Sequence, residues 1–222
     1  MIVGKQKSID EVWAMIQGYK KVLVFGCNTC VAVCHAGGNK EAEVMASMLR
    51  MKAKQENVDI DIQDSGIERQ CEHEFFESVT ERIEWADAIV SMACGIGVQF
   101  TAEKFSTKPL MPGINTTFLG ATEKPGVWTE KCQACGNCIL GMTAGICPIA
   151  RCAKRLMNGP CGGSTKGKCE ISKDLDCAWQ LIIDRLTALN RLNEYETLIP
   201  IKDWSTDRAG GPRKVVREDV MV

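Results

Sequence analysis

Cysteine is the residue type in this chain whose number and spacing point to chemistry. There are thirteen among 222 residues, and eight of them fall between Cys132 and Cys177. Cys132, Cys135 and Cys138 have two residues between each pair. At that spacing one tight loop presents three thiolates to three corners of an iron–sulfur cube. The five remaining cysteines of this stretch are Cys147, Cys152, Cys161, Cys169 and Cys177. Eight thiols are enough for two four-ligand sites.

Cys147-Pro148 resembles the terminal Cys-Pro of bacterial ferredoxins, in which the early triplet and a late cysteine share one cluster and the Cys before Pro serves the other. The segment therefore predicts [4Fe–4S] clusters. Zinc also takes four thiolates, tetrahedrally, so zinc in place of one cluster stays open. Cys161, Cys169 and Cys177 lie in a loose pattern that suits either metal. Asn158-Gly159-Pro160-Cys161-Gly162-Gly163 is a turn-rich loop, whose glycines let main-chain N–H groups approach sulfur and tune a centre. Arg151, Lys154, Arg155, Lys166 and Lys168 surround it, either as ordinary solvated charge or as compensation for an anionic centre.

The other five cysteines are placed by secondary structure. Lys21–Gly26 is a short apolar run that reads as a buried strand, and Cys27, Cys30 and Cys34 follow it. Residues 57–62 alternate apolar and acidic and read as a second strand, with Cys71 in the stretch behind it. Residues 87–93 read as a third strand with Cys94 directly after, and a short strand is expected at 109–112. Helices are expected at 8–19, opened by Ser8 with Glu11 in a capping pattern, and at 40–56, 72–84, 98–105 and 175–192. Strands alternating with helices imply a parallel sheet, and ligands of such sheets sit beyond the carboxyl ends of the strands. All five cysteines are thus expected at one sheet edge, as a second cluster site. A four-ligand site leaves one spare; Cys27 and Cys71 are the candidates for it, and spacing does not decide.

The fold class expected is α/β. Residues 1–120 form a parallel-sheet domain with a cluster at the strand ends. Residues 121–197 form a small cysteine-rich domain with little sheet and a closing helix, and 198–222 an extended tail. Residues 113–130 read as a connector rich in turn residues.

Composition excludes several function classes. A net charge of −1 gives no basic field for nucleic acid or an anionic membrane. No run of eighteen apolar residues marks a membrane span. The first residues lack the apolar core of a secretion signal. The expectation is a cytoplasmic protein, where disulfides are rare and thirteen cysteines read as metal ligands. Only His35 and His73 are present, each without an obvious orienting partner, so Ser/His or Cys/His nucleophilic catalysis is disfavoured. Gly37-Gly38 and Gly95-x-Gly97 are fragments, not nucleotide fingerprints; for the first pair a helix C-terminal turn is expected.

Gly26–Gly38 (G-C-N-T-C-V-A-V-C-H-A-G-G), E-R-Q-C at 68–71, A-C-G-I-G-V-Q at 93–99, P-G-I-N-T at 112–116 and the C-x-x-C-x-x-C through N-G-P-C-G-G stretch of 132–163 together resemble the small iron–sulfur subunit of the two-subunit methylenetetrahydrofolate reductases of acetogenic and related bacteria. The last hundred residues resemble the C-terminal domain family named for that reductase. The resemblance implies two or three [4Fe–4S] clusters, with zinc as the alternative at one. It also implies a flavin-containing (β/α)8-barrel catalytic subunit as partner, the flavin belonging to that partner, and a further electron-donor subunit as an additional possibility. The implied role is non-catalytic: to stabilise the barrel and pass electrons toward its flavin while the complex reduces 5,10-methylene- to 5-methyl-tetrahydrofolate. Two other readings stay open, a zinc-stabilised interaction module and a free-standing iron–sulfur carrier for another methyl-transfer system.

Overall fold

A strand that is apolar on both faces is stable only where both faces are covered, and the run ending at Cys27 is of this kind. In the computed structural model, which describes residues 1–208 and 211–221, every residue from Val22 to Cys27 is buried. The chain forms two compact units, Met1–Thr129 and Glu130–Val222.

The first unit contains β1 (Ile2–Gln6), α1 (Ile9–Ile16), β2 (Lys21–Cys27), α2 (Cys30–Val33), α3 (Asn39–Gln55), β3 (Asp61–Ile67), α4 (Thr80–Trp85), β4 (Ala88–Ser91), α5 (Gly95–Lys104), β5 (Leu110–Pro112), β6 (Ile114–Lys124) and the start of β7 (Val127–Cys132). A parallel sheet has the order β3-β2-β4-β5. Alternate residues of β2 feed two cores. Val22 and Val24 pack with Val12, Ile16, Met45 and Leu49 on one face. Leu23 and Phe25 pack with Phe76, Val79 and Ile83 on the other.

α1 starts where the capping pattern places it: Ser8 Oγ accepts from the Glu11 N–H at 3.2 Å. Glu11 does not reach back, because its carboxylate pairs with Lys7. In α3 the buried face is Ala42, Met45, Ala46, Leu49 and Ala53, while Val44 is exposed. The expected helix at 72–84 is a 3-10 segment, His73–Val79, followed by α4.

Two expectations are corrected. The second strand is not 57–62 but β3, because its register is set by β2: Lys21 pairs with Asp61 and Cys27 with Ile67. Residues 57–60 are the turn out of α3, with Asn57 at φ +55°. The stretch 113–130 is not a connector. β6 pairs antiparallel with β1 and is the centre of a second sheet, β1-β6-β7. Pro125 and Gly126, the latter at φ +81°, form the turn between β6 and β7, a position where glycine is favoured because φ is positive. The expected boundary at 120/121 falls inside β6.

The second unit has little regular structure: two 3-10 segments (Leu140–Thr143 and Leu192–Glu196), one turn of helix α6 (Pro148–Arg151) and the helix α7 (Ala178–Ala188). Trp179, Ile182 and Leu186 of α7 pack with Ala144 and Ile146 as its core, with Cys152 and Cys177 against them. No described helix is long and apolar enough to cross a membrane.

Candidate metal centres

The sheet order decides which cysteines of the first unit meet. β2 lies between β3 and β4, so the loops leaving these three strands are neighbours at one edge. Cys27 is the last residue of β2, Cys71 lies in the loop after β3, and Cys94 in the loop after β4. Cys30 opens α2 immediately above them. The thiols feel one another. Burial pushes Cys27 above the ordinary thiol value; the N–H groups of Gln70 and Thr29 oppose this, and the charges of Cys94 and Cys71 add to it. Burial likewise raises Cys71, followed by Cys94, and Cys30 contributes in the same sense.

Cys34 stands elsewhere. α2 ends at Val33, and the Cys34 side chain turns down beneath β1, 6 % exposed. The Gly4 N–H donates to its sulfur at 3.4 Å, and the Val31 carbonyl lies 3.5 Å away. Of the five cysteines, four share the edge and Cys34 packs into the core.

The edge is braced by a buried side chain that spacing arguments pass over. Gln70 is fully buried. Its amide donates to the carbonyls of Phe25 at 2.8 Å and Gly26 at 3.1 Å, and its oxygen accepts from Ser91 Oγ at 2.6 Å and from Thr101 Oγ1 at 3.5 Å. One side chain thereby ties the ends of β2 and β4 to α5. A glutamine directly before Cys71, in an otherwise charged E-R-Q-C stretch, is the only signal the sequence offered. Thr29 Oγ1 donates to the Glu68 carbonyl at 2.6 Å and closes the loop after β2 onto the loop after β3. Gly37 lets the loop after β2 approach the loop after β4: a Cβ there would lie 1.8 Å from the Met92 carbonyl oxygen. Gly38 caps the N-terminus of α3, so the pair precedes a helix instead of ending one. Cys94 is the N-cap of α5.

In the second unit the triplet loop is tightly curled. Ala134 and Gly136 have φ of +53° and +85°, and the Ala134 N–H donates to Cys132 Sγ at 3.3 Å. Cys147 is the N-cap of α6, with Pro148 at its first position. Cys152, Cys161, Cys169 and Cys177 line one recess of about 20 Å³. Lys166 and Gly167, at φ +52° and +77°, make a tight turn that sets Thr165 against Lys168. Two main-chain bonds, Cys169 N to Leu175 O at 2.9 Å and Cys177 N to Gly167 O at 2.8 Å, hold the two cysteines side by side. The Cys161 thiol donates to Glu170 Oε1 at 3.2 Å. Of the surrounding cations, Lys154 pairs with Glu170, and Lys168 with Asp176 at 2.6 Å.

All thirteen cysteines are free thiols. Among the described residues, no group of three or more His, Cys, Asp or Glu side chains is placed so that it could hold a metal ion. The donor chemistry nonetheless fits a thiolate-bound centre. Burial, with a smaller contribution from the neighbouring sulfurs, raises Cys27 and Cys71, thiolates are what metal ions bind, and N–H groups already point at Cys27 and Cys132. His35 and His73 are exposed. His73 packs on Phe100, 4.5 Å between ring centroids, and His35 lies near Trp128 and Glu41.

Neither the curated proteins nor the solved structures contain a match to this chain. Residues 111–205 match the model of a protein family described as methylene-tetrahydrofolate reductase C terminal.

Proposed function

We propose that this chain is a cytoplasmic iron–sulfur subunit of a methylenetetrahydrofolate reductase complex, itself non-catalytic, which stabilises a flavin-bearing (β/α)8-barrel partner and passes electrons toward its flavin. The family match over 111–205 supports the reductase context. The observation that carries the cluster reading is the sorting of the thiols by the fold. Cys27, Cys30, Cys71 and Cys94 share a sheet edge, and Cys152, Cys161, Cys169 and Cys177 share a recess. Cys147 is then left to complete Cys132, Cys135 and Cys138, instead of joining the later set as in the ferredoxin arrangement. We thus read the thiols as three four-thiolate sets, with Cys147 assigned to the triplet by elimination and Cys34 outside them.

Bound iron–sulfur clusters supply one-electron oxidation and reduction. The chain's own part is to hold thiolates and direct N–H groups at them: Gln70 and Thr29 on Cys27, Ala134 on Cys132. At the recess of the last four cysteines, about 20 Å³ is room for one water-sized body. Zinc in place of one cluster is the alternative at that set.

Iron, zinc and acid-labile sulfide analysis of anaerobically purified protein, with electron paramagnetic resonance, tests the reading. About eight to twelve irons per chain, at four per cluster, are expected, with about eight if the recess holds zinc. A colourless protein containing zinc alone sinks the proposal in favour of an interaction module. Co-elution with a flavoprotein on gel filtration separates a reductase subunit from a free-standing carrier.

A further inference from the structure

The segment after residue 197 brings three side chains onto the main chain of the triplet loop. Lys202 is 4 % exposed, an unusual depth for an ammonium group. Its Nζ donates to the Asn137 carbonyl at 2.7 Å and lies 4.8 Å from the centre of the Trp204 ring. Thr206 Oγ1 lies 3.0 Å from the Cys135 carbonyl. Arg213 Nη1 donates to the Ala134 carbonyl at 2.8 Å and to the Thr206 carbonyl at 2.9 Å. The loop is shaped to receive this segment. Gly136 sits against Thr206, where a Cβ would stand 2.5 Å from the Thr206 carbonyl oxygen.

Three carbonyls of one seven-residue loop are thus taken by an ammonium, a hydroxyl and a guanidinium. In a trans peptide the N–H points opposite to the C=O. Holding the carbonyls of Ala134, Cys135 and Asn137 toward the tail therefore turns the N–H groups of Cys135, Gly136 and Cys138 away from it. Lys202 has no ion-pair partner among the described residues. The Asp203 carboxylate, held low first by Ser205, feels its charge only weakly. The cation's direct partners are carbonyls and a ring face.

We propose that Lys202 is a positioning and potential-setting residue for the metal centre on Cys132, Cys135 and Cys138, with Thr206 and Arg213 completing a latch that fixes the loop. This rests on the reading of the triplet as cluster ligands. Gaining one electron adds one negative charge beside a buried, largely uncompensated cation, which favours the reduced state. Burial strengthens that interaction relative to the same charge in water.

The test uses the full chain, purified anaerobically, as wild type, Lys202→Met, Lys202→Arg and Arg213→Gln. Iron and sulfide content are measured first. Midpoint potentials then follow from a dithionite titration with mediators, monitored by electron paramagnetic resonance, the triplet signal being the one lost in Cys135→Ser. Lys202→Met is expected to keep its iron and shift that signal to lower potential by about tenfold in the reduction equilibrium, ~59 mV for one electron. Lys202→Arg retains the wild-type potential, and Arg213→Gln, at an exposed position, gives a smaller shift of the same sign. Unshifted potentials in Lys202→Met and Arg213→Gln overturn the proposal, as does equal iron loss in Lys202→Met and Lys202→Arg. Wild-type protein without iron overturns the cluster reading itself, a separate and distinguishable result.

Discussion

Replacing Gln70 with leucine removes the polar brace of the sheet edge while nearly preserving volume. Three short hydrogen bonds are lost, to Phe25 O, to Gly26 O and from Ser91 Oγ, together with a long one from Thr101. The Phe25 carbonyl keeps the Met92 N–H at 2.8 Å, so its loss is partial. The Ser91 hydroxyl, fully buried, is left without its acceptor. At about 1 kcal/mol for the Gly26 bond, less for the shared Phe25 carbonyl, and about 1–3 kcal/mol for the Ser91 donor left stranded, the edge should lose roughly 2–4 kcal/mol. Hydrogen exchange reads this locally, since opening free energies differ along a chain. The amides of Cys27, Asn28 and Met92 should exchange about 30- to 1000-fold faster, at a factor of ten per 1.4 kcal/mol. Thr101→Val, which removes only the 3.5 Å contact, should change them by about twofold or less, given the weakness of a bond that long. Rates in Gln70→Leu within about threefold of wild type would refute the role given to this side chain.

Cys34→Ala should leave the iron content of the full chain unchanged, whereas Cys94→Ala should lose about four irons; equal losses would show that Cys34 is a ligand. Gly37→Ala forces a methyl to within 1.8 Å of the Met92 carbonyl oxygen. It should cost about 3 kcal/mol, a thermal midpoint lower by roughly 6–12 °C, while Gly18→Ala, with open space around it, should be neutral. In metal-free protein the raised values of Cys27 and Cys71 give a pH dependence of definite sign. The unfolded thiols ionise first, so stability is fully present below the ordinary value of 9.0 and falls as pH rises above it. Urea midpoints of the metal-free protein that rise with pH in that window would contradict the placement of these thiols.

Legibility followed the range of the interactions. β2 was plain because six consecutive residues, Val22 to Cys27, are buried and read as an apolar run. α1 was plain because Ser8 and the Val12, Trp13, Ile16 stripe are local signals. β6 was not: only Ile114 and Gly120 are buried in its eleven residues, and its partner β1 lies more than a hundred residues away. β3 was displaced by several residues because its own pattern is polar and its register comes from β2. The last four cysteines carry no motif of their own, and the turn at Lys166-Gly167 with two main-chain bonds is what sets Cys169 beside Cys177. The tail after 197, expected to be extended, contains a buried lysine whose partner is a carbonyl sixty-five residues earlier, a contact with no local signature.

The sequence by itself determined that this is a chain of thiols on an α/β frame: the triplet spacing, the strand that ends at Cys27, and the cysteines set behind successive strands are all local in the chain. Only the tertiary structure decided which thiols lie near one another. Strand order brought Cys27, Cys71 and Cys94 to one edge, because β2 lies between β3 and β4. The end of α2 after one turn sent Cys34 under β1, and Gln70 joined strands that no spacing rule connects. Spacing fixes what a loop can present, but which thiols from several strands come to one edge is a property of the strand order in the sheet, where β2, buried on both faces, lies between β3 and β4.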